Sequence, residues 1–175
     1  MSKGRATTLI PGSVDPRRMA KKRISLQGTV QSEAMPRLLK ATHKVGEITA
    51  KVGFSVDEHY RPRVSGKVES AVELICQRCL APSQHHLEAN FDLAVVQTDE
   101  QAANLPADID PWLASEGEVD FFQVLEQELL LALPLVAYHN YECVESVAFD
   151  TSEGHEEMAP VNKNPFDVLA NLKTK

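Results

Sequence analysis

The chain has 175 residues, 43% of them hydrophobic and 25% charged, proportions that suit one soluble domain with a core and some appendages. Its longest apolar run, Leu129–Leu133, ends at Pro134 and is far too short for a membrane span, and the basic N-terminus lacks the apolar stretch of a secretory signal. Three cysteines, an odd number, argue against a secreted disulfide framework, so the expected location is the cytoplasm, with no membrane partner.

The net charge of −7 conceals a split. Residues 1–67 hold 14 Lys and Arg against 5 Asp and Glu, whereas residues 68–175 hold 4 against 20. The first balance, +9, suits an anionic partner; the second, −16, repels one.

In chain order, residues 1–13 have little periodicity and are expected to form a mobile or draped arm. Asp15-Pro16 reads as a helix start, because Asp accepts free N–H groups of the first turn and Pro lacks the donor orphaned there. The short helix runs to about Lys21. With Arg17, Arg18, Lys21, Lys22 and Arg23 it carries the densest basic cluster in the chain, either a solvated tether or a phosphate contact. Residues 24–30 alternate apolar and polar and read as a strand. A short helix, Glu33 to Lys40, capped by Ser32 and limited by Pro36, comes next. Alternation returns over 45–60, through Ile48, Ala50, Val52, Phe54 and Val56. After a turn at Asp57–Pro62, two further strands, 63–75 and about 83–97, flank Ile75-Cys76-Gln77-Arg78-Cys79-Leu80.

An acidic turn follows Thr98, and a short strand is expected near Trp112. The main amphipathic helix begins after Asp120, the expected cap, with Gln123 as reciprocal partner. Phe122, Leu125, Leu129 and Leu133 share its core face, Glu126 and Gln127 point away, and Pro134 stops it. Residues 144–160 are acidic without Lys or Arg, and Asn164-Pro165 restarts a helix with an apolar face of Phe166, Leu169, Ala170 and Leu172.

The fold class is therefore α+β: an antiparallel sheet of long strands, its closure toward a barrel left open, with one main helix packed on it and short helices in the terminal arms. The expected divisions are a basic arm (1–23), a single core domain (24–143), an acidic flexible linker (144–163) and a C-terminal docking helix (164–175).

Cys76 and Cys79 have the spacing that lets one turn aim two sulfurs at a metal. A tetrahedral structural zinc needs two more ligands, and Cys143 and His139, just past the main helix, are the candidates. A redox pair is a second reading, though the cysteines lie between strands and not at a helix N-terminus. Two reduced cysteines packed as small apolar residues are the third. Arg78 is the only Lys or Arg between Lys67 and Lys163, placed to pair with nearby acids or to offer this half's one basic contact. No Gly-rich phosphate loop or hydrolase motif is present, and no enzyme is expected.

Four blocks together, Val14-Asp15-Pro16-Arg17-Arg18, Cys76-Gln77-Arg78-Cys79, Glu126 through Pro134 and Asn164 through Lys173, resemble the bacterial YceD family, the large ribosomal RNA subunit accumulation proteins. They come in the family's order and span nearly the whole chain. The resemblance implies a role in making or accumulating 23S rRNA, hence in large-subunit biogenesis, and brings no catalytic residue. It also fits a zinc site, since some relatives have further cysteine pairs near the C-terminus, where this sequence has Cys143 and His139. Within that role the basic arm is expected to touch 23S rRNA or its precursor, and the acidic half a basic large-subunit assembly protein, in a non-catalytic adaptor. A metal-dependent RNA-maturation nuclease and a zinc-pinned protein-interaction module without RNA contact are the alternatives.

Overall fold

The structure, a computed structural model, describes residues 9–144; the predicted linker beyond Val144 and the helix over 164–175 lie outside them. Its first elements are β1 (Ser13–Val14), α1 (Pro16–Lys21), β2 (Ser25–Val30), a 3-10 turn (Ser32–Ala34) and α2 (Pro36–Ala41). Three long strands follow, β3 (Lys44–Val56), β4 (Pro62–Ile75) and β5 (Pro82–Val96). Then come α3 (Asp99–Ala103), β6 (Asp110–Leu113), β7 (Val119–Asp120) and α4 (Phe122–Leu131).

Five strands form one sheet in the order β2-β3-β4-β5-β6, and β1 pairs with β7 in a separate two-stranded ribbon. The pairs β2–β3, β3–β4 and β4–β5 are antiparallel, as the alternating sequence predicts. The pair β5–β6 is parallel, because the chain crosses back through α3 before rejoining the sheet. The order is open, with β2 and β6 as edges; closure into a barrel is not formed among the described residues.

Register explains which face is buried. Ile48, Ser70 and Leu87 lie in one row across the sheet, then Ala50, Val68 and Ala89, then Val52, Gly66 and Phe91, then Phe54, Val64 and Leu93. Apart from Gly66 these are all buried, and each large one contributes roughly 1.5–3 kcal/mol. Gly66 is glycine for steric reasons: a Cβ there would run into the Lys51 carbonyl and the Val52 backbone. The opposite face carries Gln27, Lys51, Lys67 and Asn90 in one row and Thr49, Glu69 and Glu88 in the next. There the Lys67 ammonium sits between the Glu69 and Glu88 carboxylates. Helices α1 and α4 pack against the long strands, and Phe121, fully buried, stacks its ring 5.7 Å from Phe54 and 6.0 Å from Trp112.

Several local expectations need correction. Of the two expectations for the arm, mobile or draped, the described residues leading into α1 take the second: Ile10 is buried and its N–H donates to the Thr29 carbonyl, while β1 pairs with β7. The predicted helix Glu33–Lys40 divides at Met35 into the 3-10 turn and α2, because Pro36 cannot continue a helix but can begin one. Asp120 is not the N-cap residue of α4; Phe121 is, although the Asp120 carboxylate accepts from the Phe122 N–H at 3.0 Å. The helix ends at Leu131, before Pro134.

Glu126 differs most from its expected solvent-facing position. It is 3% exposed, and its Oε1 accepts the Arg37 and Leu38 N–H groups at 2.6 and 3.0 Å. The N-cap residue of α2 is Met35, whose side chain cannot accept, so α4 supplies the missing acceptor.

Candidate metal centre and nucleic-acid interface

The turn between β4 and β5 is closed by the Leu80 N–H donating to the Cys76 carbonyl at 2.9 Å, with Leu80 in the left-handed conformation at φ 59. Inside it, the Arg78 N–H points at the Cys76 sulfur at 3.4 Å. The segment after α4 folds back over this corner, and the Gln77 N–H donates to the Ala137 carbonyl at 2.9 Å. Two elements distant in sequence therefore meet edge to edge.

Their meeting brings Cys76, Cys79, His139 and Cys143 together, with all four ligand atoms within 4.8 Å of one another. The Cys76 and Cys143 sulfurs are 3.7 Å apart, and the Cys79 sulfur lies 3.4 Å from His139 Nδ1. A tetrahedral zinc with ordinary bond lengths has edges of about 3.8 Å between sulfurs and about 3.6 Å between sulfur and nitrogen. The cysteines are free thiols, well outside disulfide bonding distance. His139 Nε2 lies 3.0 Å from the Pro82 carbonyl, which can only accept; the proton therefore sits on Nε2 and the Nδ1 lone pair faces the sulfurs. The residues present fit a Cys3His zinc site in number, type and orientation.

The electrostatics are those of a nascent thiolate. Burial pushes the Cys76 thiol up, but the backbone N–H groups of Cys79, Arg78 and His139 and the Cys143 thiol outweigh it and bring Cys76 down to about 5. Burial and the neighbouring Cys79 and Cys76 sulfurs push Cys143 up to about 11, against the pull of Arg78. Cys76 is thus placed to ionise well before Cys143, and a divalent cation would favour deprotonation of its ligands further.

Arg78 is committed to this architecture. Its Nη2 donates to the His139 and Tyr141 carbonyls at 2.8 and 2.9 Å, and the guanidinium lies 5.2 Å from the Tyr138 ring centroid. It pairs with no carboxylate among the described residues and staples the segment that delivers His139 and Cys143. Sequence reading missed the acceptors it uses, because backbone carbonyls leave no mark in residue type.

The predicted basic cluster divides as well. Asp15 caps α1, its carboxylate accepting the Arg18 N–H at 2.9 Å, and Ala20 and Pro16 anchor the helix in the core. Arg17 reaches back to donate to the Ser115 and Ala114 carbonyls at 2.9 and 3.0 Å. Arg18, Lys21, Lys22 and Arg23 are exposed and make no ion pair among the described residues. Arg18, Lys21 and Lys22 line one shallow cavity at the end of α1, Arg23 follows in a left-handed turn at φ 51, and Arg78 lies away from them past the far end of β4.

A family model described as Large ribosomal RNA subunit accumulation protein YceD matches residues 64–173. A protein of Haemophilus influenzae (strain ATCC 51907 / DSM 11121 / KW20 / Rd), named Large ribosomal RNA subunit accumulation protein YceD, is 37% identical over 170 residues, 95% of this chain and 97% of that one. The chain belongs to the YceD family. The matched YceD region begins in β4 and contains all four residues of the thiol–imidazole cluster. Helix α1 precedes it, within the reach of the longer alignment with the Haemophilus protein. No solved structure gives a significant match. No helix among the described residues is long and apolar enough to cross a membrane.

Proposed function

We propose that this chain supports the accumulation of large-subunit ribosomal RNA as a non-catalytic adaptor. It contacts 23S rRNA or its precursor through the exposed face of α1 and holds a structural zinc at the opposite end of the β4–β5 hairpin. The observation that carries the RNA contact is the set Arg18, Lys21, Lys22 and Arg23, exposed without carboxylate partners among the described residues on and just after a helix whose other face is anchored. Cations without carboxylate partners keep their charge for phosphates, and the anchored backbone holds them close together. Arg17 and Arg78, both engaged with backbone carbonyls, take supporting roles. The name of the Haemophilus relative supports the same reading.

Four protein ligands fill a tetrahedral metal's coordination sphere, which favours a structural over a hydrolytic zinc. An assembly protein of the large subunit is a second partner, supported by the exposed apolar side chains Leu135, Val136, Tyr138 and Tyr141 beside the cluster.

The test is a pull-down from cell extract with wild type and with a variant carrying Arg18→Glu, Lys21→Glu, Lys22→Glu and Arg23→Glu. Wild type is expected to recover large-subunit precursors and the variant to lose them. Equal recovery by both removes α1 as the contact.

A further inference from the structure

We propose that a cleft beside α1 is a nucleotide-binding site that stacks one unpaired RNA base on Tyr60. This rests on the reading of α1 as an RNA contact and extends it from phosphate attraction to recognition of single strands. The cleft measures about 470 Å³. Arg17, Tyr60, Arg61, Gln97, Gln101 and Asn104 supply its polar rim. A second cavity shares Arg17 and is lined by Arg18, Lys21 and Lys22 together with Asp15 and Glu116, so the cleft lies next to the basic helix.

Tyr60 is the unusual element. It is 88% exposed and sits at φ 61, in the left-handed region that an aromatic residue rarely adopts. The turn holding it is closed by several hydrogen bonds. The Asp57 carboxylate accepts the His59 and Arg61 N–H groups, each at 2.8 Å, and the Tyr60 N–H donates to the Asp57 carbonyl at 3.0 Å. A strained, well-supported turn that presents an aromatic ring to solvent gives nothing to the core; it suits a stacking platform.

The surroundings match a nucleotide. No Asp or Glu lines the cleft, although its far wall comes from the acidic half of the chain. Arg17 donates only to neutral carbonyls, so its charge stays available to an anion. Arg61 is held by Asp57 through Nε, leaving its terminal nitrogens for a phosphate. The Gln101 carbonyl oxygen accepts the Gln97 N–H at 2.8 Å, which leaves the amide nitrogen as a donor. The Asn104 amide nitrogen donates to the Glu100 carbonyl at 2.9 Å, which leaves its oxygen as an acceptor. A free donor and a free acceptor beside an aromatic ring are what the edge of an unpaired base requires.

The experiment compares full-length wild type, Tyr60→Ala, Tyr60→Phe and Arg18→Glu/Lys21→Glu/Lys22→Glu by fluorescence anisotropy. The probes are a labelled single-stranded RNA oligonucleotide and an RNA duplex of equal length. Tyr60→Ala is expected to weaken single-strand binding by at least about fivefold, the loss typical of one stacked base, while duplex binding holds and Tyr60→Phe behaves as wild type. Because Tyr60 is exposed and strained, Tyr60→Gly serves as a second variant; it is expected to melt no lower than wild type and to lose the same affinity. Wild-type affinity in Tyr60→Ala, with binding lost in the charge-reversal variant, overturns the cleft and leaves the α1 reading standing. Equal losses on single strand and duplex overturn stacking. Absence of binding by wild type to either probe overturns both readings.

Discussion

The β4–β5 hairpin has two ends, and the chain equips them in opposite ways. At one end, past Ile75, the cysteine corner is covered by the segment after α4, and its cation, Arg78, is engaged by two carbonyls and an aromatic ring. At the other end, before Pro62 and after Val96, the neighbouring cations of α1 stay exposed and an aromatic ring faces solvent. A strand as long as β4 separates the two by on the order of 40 Å, so neither end tunes the other by direct contact. The contrast shows that a count of basic residues is a poor guide to an anion site. What decides is whether local acceptors have already taken the cation's donors, as they have at Arg78 and at Arg17, which keeps an uncancelled charge but has both terminal nitrogens engaged.

Changes that separate the ends sharpen the contrast. Cys79→Ser should cut zinc content below about one ion per two chains and remove the linked stabilisation, about 4 kcal/mol where free zinc exceeds its dissociation constant a thousandfold. Elemental analysis and thermal melting with and without chelator check this. RNA affinity should not change, and a parallel loss would mean that the ends are coupled. Glu126→Ala should cost about 2–3 kcal/mol, because one buried and one part-buried N–H donor of α2 lose their acceptor. Glu126→Gln, which keeps an oxygen there, should cost about 1 kcal/mol by denaturant melts.

Arg78→Lys removes the Nη2 that donates to both carbonyls and the planar group beside the Tyr138 ring, and should cost about 1–2 kcal/mol, with weaker zinc retention and unchanged RNA binding. A loss of RNA binding would instead make Arg78 a contact. The smallest effect belongs to the turn under Tyr60. Burial pushes the Asp57 carboxyl up, but the Arg61 backbone N–H, the Arg61 guanidinium and the His59 N–H together hold it below its ordinary 3.8. A folded-state pKa that is depressed gives stability present above 3.8 and lost as pH falls through the lower folded value. Asp57→Asn should therefore lie about 1 kcal/mol below wild type at neutral pH and converge with it in strong acid, by melts across that range.

The long strands were legible because alternation at period two is a local signal, and the rows from Ile48 to Phe54 and from Leu87 to Leu93 pair as it implies. The start of α1 was legible for a similar reason, since Asp15 and Pro16 act on their own first turn. Convergence of Cys143 and His139 on the corner could be posed from ligand type, because a CxxC pair leaves two coordination positions to fill. Glu126 was misread because helical spacing gives only its own face, while its role is set by a cap missing almost ninety residues earlier. The signal available was Met35 before Pro36, a helix start without a side-chain acceptor. The strands β1 and β7 are two residues each, too short to carry a period.

Sedimentation of wild type, the α1 charge-reversal variant and Cys79→Ser through a ribosome gradient tests the division of labour most directly. Wild type and Cys79→Ser should peak with the assembling large subunit, and the charge-reversal variant with free protein. Co-migration of the charge-reversal variant with wild type at the assembling subunit, or release of Cys79→Ser alone, would contradict it.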